Sequence, residues 1–379
     1  VSTAAAPSLV QPPALGLYVH LPWCVRKCPY CDFNSYQAPE GVLPEAAYID
    51  ALLRDLESEL TWCAGRRVDT IFFGGGTPSL FTPESFARLL AGVAARIEVA
   101  RDAEVTLEAN PGTIERGRFH GYRDAGINRV SLGAQSFAAP QLVALGRIHA
   151  AGDTRVAVAE LADAGYSNYN LDLMYALPRQ TADEAGEDLA QALALGAPHV
   201  SYYHLTLEPG TAFFRKPPAL PDEEITAVIE STAERALTAA GLRRYEISAW
   251  ARPGHACRHN LNYWRYGDYL GIGAGAHGKL TLAGTPDIVR TVKPRQPAGY
   301  LSAVAAGGPI GERQPVPPGA RPFEFMLNAT RLAEGFAPAL FESRTGLPMA
   351  SIGAVIDRLC ARGLLEVCAE SVQATPLGW

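Results

Sequence analysis

The sequence predicts an α/β fold, with six β/α units winding a parallel sheet into a partial barrel and a smaller C-terminal α+β domain after it. Two observations carry that prediction. From Leu15 to about Leu207, short β-branched or apolar runs alternate with longer amphipathic ones, the pattern of repeated β–α units. Beyond Arg321, three helical segments are followed by two short extended ones. A chain of 379 residues, 48% of them hydrophobic, suffices for one barrel-sized domain and a smaller one.

Taken in order, residues 1–14 are apolar and Ala-rich without the basic stretch or hydrophobic centre of a signal peptide, and are expected to form a flexible arm. Barrel strands are expected at 15–20, 68–73, 103–109, 128–132, 168–173 and 198–206 within a domain spanning 15–207. Helical spacing fills Glu45 to Trp62, Pro83 to Ile97 and Ala182 to Leu195, each behind a turn or capping signal. Residues 208–306 extend the barrel, and the Pro/Gly-rich stretch 307–322 reads as a linker to a C-terminal domain at 323–379. There, helical segments near 321–333, 337–345 and 348–362 precede Gly363-Leu-Leu-Glu-Val and Ser371-Val-Gln-Ala-Thr, an order that resembles a winged helix. The last residues, Pro376-Leu-Gly-Trp379, stop abruptly for a wing strand, so truncation is expected.

Charge narrows the function. The net charge is −6, and no block of like charges makes an electrostatic footprint for nucleic acid. Arg321 to Trp379 holds five arginines and no lysine against six acidic residues, so DNA reading by the winged segment is not expected. No apolar run reaches the roughly 18 residues of a spanning helix, which leaves only peripheral membrane contact. Cys63, Cys257, Cys360 and Cys368 are scattered without a disulfide-like framework, as expected in a reducing cytoplasm.

The chemistry concentrates at Tyr18-Val-His20-Leu-Pro22-Trp23-Cys24-Val-Arg-Lys-Cys28-Pro29-Tyr30-Cys31. Three thiolates on one short loop suit a cubic iron–sulfur cluster with one iron left open. Buried small hydrophobes or half of a zinc site would explain three cysteines too, but no second cysteine pair completes a zinc set. At the expected end of the second strand, Phe73-Gly74-Gly75-Gly76-Thr77-Pro78 lets backbone groups approach a ligand closely. Later strand ends carry Glu108, Gln135, Arg147 and Asp172. Carboxylates and amides suit a cationic, hydroxyl-bearing ligand, and an arginine can hold a carboxylate bidentately. Reactive residues of parallel barrels sit at such strand ends.

The YxHxPxC flank and the aromatic before the last cysteine resemble the radical S-adenosylmethionine (radical SAM) superfamily. That resemblance implies a [4Fe–4S] cluster ligated by Cys24, Cys28 and Cys31, with SAM chelating the open iron and cleaved after a one-electron reduction. It also implies a (β/α)6 partial barrel and a SAM site drawn from Tyr18, Tyr30, Gly75, Gly76, Thr77, Glu108, Gln135, Arg147, Asp172 and Tyr203. Two branches of the superfamily compete. Oxygen-independent coproporphyrinogen III dehydrogenases, which oxidatively decarboxylate a porphyrinogen, carry a further cysteine two positions after the last cluster cysteine; here that position is Phe33. Phenylalanine neither ligates metal nor donates hydrogen as a thiol does.

The other branch comprises heme chaperones of the HemW type. His259-Asn260-Leu-Asn262-Tyr263-Trp264 resembles their HNxxYW motif, which implies heme contact by His259, Asn260, Tyr263 and Trp264. A histidine can ligate heme iron and aromatics can pack around a macrocycle, although a buried, satisfied histidine gives the same pattern. The glycines of Asp268 to Gly278 do not follow the strand of a dinucleotide-binding unit, and His277 among them is a candidate for either the adenosine end or the heme. The resemblance implies a cytoplasmic heme chaperone that passes heme to respiratory-chain acceptors and dimerises when cluster-loaded.

Overall fold

The computed structural model describes residues 12–40, 42–63, 65–112, 117–307, 310–368 and 370–379. Most of the arm expected at 1–14 lies outside these residues, as do 308 and 309 of the expected linker. The chain begins with β1 (Leu15–Leu21), followed by two short strands, β2 (Trp23–Cys24) and β3 (Tyr36–Gln37), that pair in parallel. Then come β4 (Val68–Gly75), β5 (Val99–Ala109), β6 (Arg129–Gln135), β7 (Tyr169–Tyr175) and β8 (His199–His204). Each pairs in parallel with its predecessor, and β4 with β1, giving the six expected strands in order.

Near-continuous burial along β1, β6 and β7 is what a parallel sheet covered on both faces requires. Leu17, Leu107, Val130 and Leu171 are fully buried, and side chains of this kind contribute roughly 1.5–3 kcal/mol each. The covering helices start where the sequence signals them. Thr82 caps Pro83–Ala94 by accepting the Ser85 N–H, and Thr181 with Glu184 forms a capping box on Ala182–Ala194. The helix expected from Glu45 to Trp62 is α-helical to Glu59 and tightens into a 3-10 turn over Leu60–Trp62.

The extension adds β9 (Arg243–Glu246), β10 (Ala249–Ala251), β11 (Asp268–Ile272), β12 (His277–Thr281), β13 (Ile288–Val292) and β14 (Glu312–Pro315). The full sheet runs β14-β13-β12-β11-β1-β4-β5-β6-β7-β8-β10-β9 and is open, since its two ends do not pair with each other. Unlike the six-strand expectation, β11 is a seventh parallel strand, docked on the free side of β1. Part of the stretch read as a linker is itself a strand, β14, paired with β13.

Buried charges hold this added wing. Asp268 takes Arg66 at 2.7 Å and Lys279 at 2.8 Å, while Lys293 bridges Asp55 and Glu59 of the first helix. The C-terminal part carries helices Arg321–Ala329, Pro338–Thr345 and Gly353–Ala361 and the antiparallel hairpin of β15 (Leu365–Val367) and β16 (Val372–Ala374). Its core of Phe325, Phe336, Phe341, Ile352 and Ile356 includes Tyr266 and Ile288 of the extension and Val316, just after β14. The first helix stops at Ala329, short of the expected 333, because the next residues meet the sheet edge. Leu332 bridges Glu246, and Ala333 N–H donates to the Tyr245 carbonyl.

Candidate functional site

The cysteine loop is pinched at its neck by the β2/β3 pair, where Tyr36 N–H donates to the Pro22 carbonyl and Ala38 N–H to that of Cys24, each at 2.8 Å. Across the loop, the Lys27 ammonium donates to the Phe33 carbonyl at 2.9 Å and the Ser35 carbonyl at 3.1 Å. This backbone holds Cys24, Cys28 and Cys31 on the wall of one cleft of about 580 Å³. Burial pushes the Cys24 and Cys31 thiols up from their ordinary value, a cost that a positively charged metal group would reverse.

The donor set fits a cluster better than a single ion. Among the described residues, no three His, Cys, Asp or Glu side chains converge on one metal position. A cubane is instead held at separate corners, which three thiols spaced along one short loop can supply. When bound, such a cluster supplies one-electron chemistry and an open iron.

His20 gives the Tyr18-Val-His20-Leu-Pro22 flank a physical role. Its Nε2 lies 2.9 Å from the Asn34 carbonyl and its Nδ1 3.0 Å from the Tyr18 hydroxyl. A carbonyl only accepts, so Nε2 carries the proton and Nδ1 accepts from Tyr18. Asn34 then clamps the far side of the loop, its Nδ2 donating to the Ala274 carbonyl at 3.0 Å and the Arg295 carbonyl at 2.9 Å. The glycines complete the clamp. Gly75 has φ of +120° and a Cβ there would fall 2.6 Å from the His20 ring; a Cβ on Gly76 would fall 2.5 Å from the Trp23 carbonyl oxygen. Gly76 and Thr77 N–H donate to the Leu21 and Trp23 carbonyls, so this segment braces the cysteine loop from below.

Strand ends supply the polar wall. Gly75 N–H donates to Glu108 at 3.2 Å, and Asp172 accepts from Ser131 at 3.1 Å and Asn170 at 2.7 Å. Burial, and then the Asp172 charge, pushes Glu108 up to about 8; burial likewise raises Asp172. A cationic ligand would draw the Glu108 proton off and pair with the carboxylates. Gln135 sits at φ of +66° just after a register shift in β6, and its Oε1 accepts from Tyr203 at 2.6 Å. A non-glycine residue in this conformation is strained, and the strain here turns an amide into the cleft.

The cleft thus brings together Cys24, Cys28, Tyr30, Cys31, Gly76, Thr77, Glu108, Gln135, Arg147, Asp172, Tyr203 and Asn260. Tyr18 and Gly75 stand behind this lining and support it. His277 is elsewhere: it is exposed on β12, opposite Val292.

The HNLNYW residues are parted by the fold. His259 is fully buried, stacked on Phe72, with Nδ1 2.8 Å from the Thr70 hydroxyl and Nε2 2.9 Å from that of Tyr263. Burial drives it down to about 3, so it is neutral. Both nitrogens are engaged, and reaching a heme iron would require the helix Arg258–Trp264 to leave the sheet. Asn260 alone of the four faces the cleft, whereas Tyr263 and Trp264 line a separate cavity of about 120 Å³. The substitution His259→Ala is therefore expected to lower stability by about 2–4 kcal/mol, through two stranded hydroxyls and a void, without moving the Soret maximum of heme-loaded protein. Denaturant unfolding beside absorption spectra checks both halves.

Sequence reasoning missed several lining residues. Ser131 and Ser201 lie on the strands of named candidates and Asn110 just past the end of β5, where its position directly after Glu108-Ala was the available signal. His204, exposed at the end of β8, is also a lining residue, with its ring 5.4 Å from that of Tyr175. Arg331 arrives from the C-terminal part, paired with Glu246 at 3.0 Å and stacked 4.2 Å from the Trp264 ring. Nothing local in the sequence announces that contact.

Comparison with known proteins agrees with this geometry. A family model described as the Radical SAM superfamily matches residues 18–192, and one described as the HemN C-terminal domain matches 316–379. The heme chaperone HemW of Escherichia coli (strain K12) is 47% identical over 372 residues, covering 98% of this chain and 96% of that protein. A mouse protein, radical S-adenosyl methionine domain-containing protein 1, mitochondrial, is 38% identical over 315 residues, covering 79% of this chain and 71% of that one. Among solved structures, coproporphyrinogen III oxidase (HemN) from Escherichia coli, a radical SAM enzyme, superposes with a TM-score of 0.80 at 22% identity, covering 96% of this chain and 87% of that one. That likeness establishes a shared fold. With cysteine loop, strand-end site and near-full-length identity in agreement, the chain belongs to the HemW family of the radical SAM superfamily.

Proposed function

We propose that this protein is a heme chaperone, binding heme and passing it to acceptor proteins such as those of the respiratory chain, on a scaffold that carries a [4Fe–4S] cluster and SAM. The observation that carries the heme reading is 47% identity over 98% of the chain to a protein named as a heme chaperone. Within the cleft, Cys24, Cys28 and Cys31 would hold the cluster, with Gly75, Gly76, Thr77, Glu108, Gln135 and Asp172 around SAM. Phe33, 62% exposed and lining the cleft, occupies the position where the decarboxylating relatives are expected to have a thiol, which argues for carriage over decarboxylation. The ring of Phe33 gives the cleft an apolar contact suited to a porphyrin.

The test is anaerobic. Purified protein is expected to bind heme saturably with a defined Soret band and to surrender it to an apo-hemoprotein. The reconstituted, reduced protein with SAM and coproporphyrinogen III is expected to release no carbon dioxide. Carbon dioxide with protoporphyrinogen formation, or heme uptake that never saturates, would overturn the reading. Cluster loading is expected to promote dimerisation, read by size exclusion of the same samples, and contact with membranes would be peripheral. Among the described residues, no helix is long and apolar enough to cross a membrane.

A further inference from the structure

We propose that His199 is a positioning residue for the Asp172 carboxylate of the SAM site, acting on it through Asn170. The proposal rests on the reading that Asp172 stands around SAM. His199 opens β8 two residues before Ser201, which lines the cleft. Alternate residues of a strand share a face, so His199 lies beneath the cleft wall, and it is 1% exposed.

The hydrogen bonds around Asn170 place every proton. Its Oδ1 lies 2.9 Å from the Ser201 backbone nitrogen. A backbone N–H only donates, so that end of the amide is the oxygen, and Nδ2 points the other way, to Ser131 Oγ and Asp172 Oδ1, each at 2.7 Å. Ser131 accepts from the amide and gives its own proton to Asp172 Oδ2 at 3.1 Å. Both oxygens of Asp172 thus receive a hydrogen bond that the Asn170 amide directs.

His199 holds the other end of that amide. Its Nδ1 is 2.6 Å from Asn170 Oδ1, the shortest of three bonds to that oxygen, the others coming from the Ser201 N–H and, at 3.1 Å, its hydroxyl. An amide oxygen only accepts, so Nδ1 carries the ring proton. Burial, and then the Arg129 charge, hold the imidazole well below its ordinary value, so it is neutral and Nε2 accepts from the Tyr245 hydroxyl at 2.8 Å. The Tyr245 oxygen accepts in turn from the Cys257 N–H at 3.3 Å. Donation therefore runs one way, from Cys257 through Tyr245, His199 and Asn170 to Asp172. Bonds aligned in series polarise one another, and here the series ends on a carboxylate, so each link strengthens the hold on its charge and direction. Asn170 is itself 1% exposed, which leaves no solvent to replace a lost donor.

The experiment sets SAM affinity, from anaerobic calorimetry of cluster-reconstituted protein, beside denaturation midpoints. His199→Asn keeps an amide N–H where Nδ1 stands and gives up the reach to Tyr245; His199→Gln keeps a polar group toward Tyr245 and gives up the donor to Asn170. Affinity is expected to fall about tenfold in His199→Gln and to stay within about threefold in His199→Asn, whichever variant is the less stable. Asn170→Ala is expected to weaken SAM at least as much as His199→Gln, and the double variant no further than Asn170→Ala alone, as required of residues acting in series. Equal losses in the two His199 variants, affinities that follow the midpoints, or losses that add in the double variant would overturn the proposal. Nitrogen spectra of the unmodified, ligand-free protein give a check that no folding defect can spoil. Between about pH 5 and 8 the His199 ring is expected to stay neutral with its proton on Nδ1, and a proton on Nε2 or a ring that titrates in that range would overturn the proposal as well. Failure of the unmodified protein to bind SAM would instead sink the SAM reading, and this proposal with it.

Discussion

The substitution Lys293→Met is expected to destabilise the fold by about 3–5 kcal/mol, the usual cost of removing one partner from a buried ion pair. Lys293 is 1% exposed, and its ammonium stands 2.6 Å from Asp55 and 2.5 Å from Glu59. Arg313 reaches Glu59 at 2.9 Å but has no bond to Asp55 among the described contacts. Asp55 also accepts from Tyr300 at 2.9 Å and from the Gly273 N–H at 3.0 Å, neither of which carries charge. Without the ammonium, two buried carboxylates are left with one guanidinium between them. The denaturation midpoint reads the loss. The triple substitution with Asp55→Asn and Glu59→Gln is expected to recover most of it; a triple variant as unstable as Lys293→Met would assign the cost to packing.

That lesion also has a functional path. Asp55 holds Gly273, and the carbonyl of the next residue, Ala274, accepts from the Asn34 side chain that clamps the cysteine loop. Loosening the end of β11 therefore loosens the seat of Cys24, Cys28 and Cys31. Iron retained after reconstitution is expected to fall in Lys293→Met even at temperatures where the protein remains folded.

This coupling also marks the boundary of what the sequence could reveal. Strands β1 and β4 to β8 were legible because residues buried on both sheet faces must be apolar in a run, and because turn and cap residues separate them. The cysteine loop and the strand-end polar groups were legible because spacing along the chain equals proximity within a loop, and parallel strands bring their ends to one face. Long-range placement was not. Asp268-Tyr-Leu-Gly-Ile is as apolar as any strand, but its partner β1 lies about 250 residues earlier, so only the fold shows that it becomes a seventh parallel strand. HNLNYW shows the opposite failure. Its residues are neighbours in sequence, yet a short helix sends His259 into the core, Asn260 into the cleft and Trp264 under Arg331. A motif read as one site thus performs three tasks, and the contact that completes it comes from a segment some seventy residues later.

The substitution Glu108→Gln is expected to weaken SAM binding by about tenfold to a hundredfold, the loss of one charge-assisted contact, and to remove its pH dependence. Glu108 is held up to about 8 by burial first and by the Asp172 charge second, with the Gly75 N–H pulling the other way. Below that value the carboxyl of the ligand-free protein holds its proton and offers a cation no charge. Affinity for SAM should therefore rise between about pH 6 and 9, and it should rise far less for S-adenosylhomocysteine, a thioether without the sulfonium charge. The same proton fixes the sign for stability. A carboxyl starting from 4.5 and raised to about 8 keeps a proton that the unfolded chain has lost. The stability of the ligand-free protein thus falls as pH climbs through that window, and a bound cation opposes the fall. Anaerobic calorimetry of both ligands across pH reads the first effect, and unfolding midpoints read the second. A wild-type affinity flat with pH, or one that Glu108→Gln leaves equally steep, would move the cation-binding role to Asp172. That residue already has two hydrogen bonds stabilising its charged form, whereas Glu108 has the single N–H of Gly75, which is why the larger dependence is assigned to Glu108.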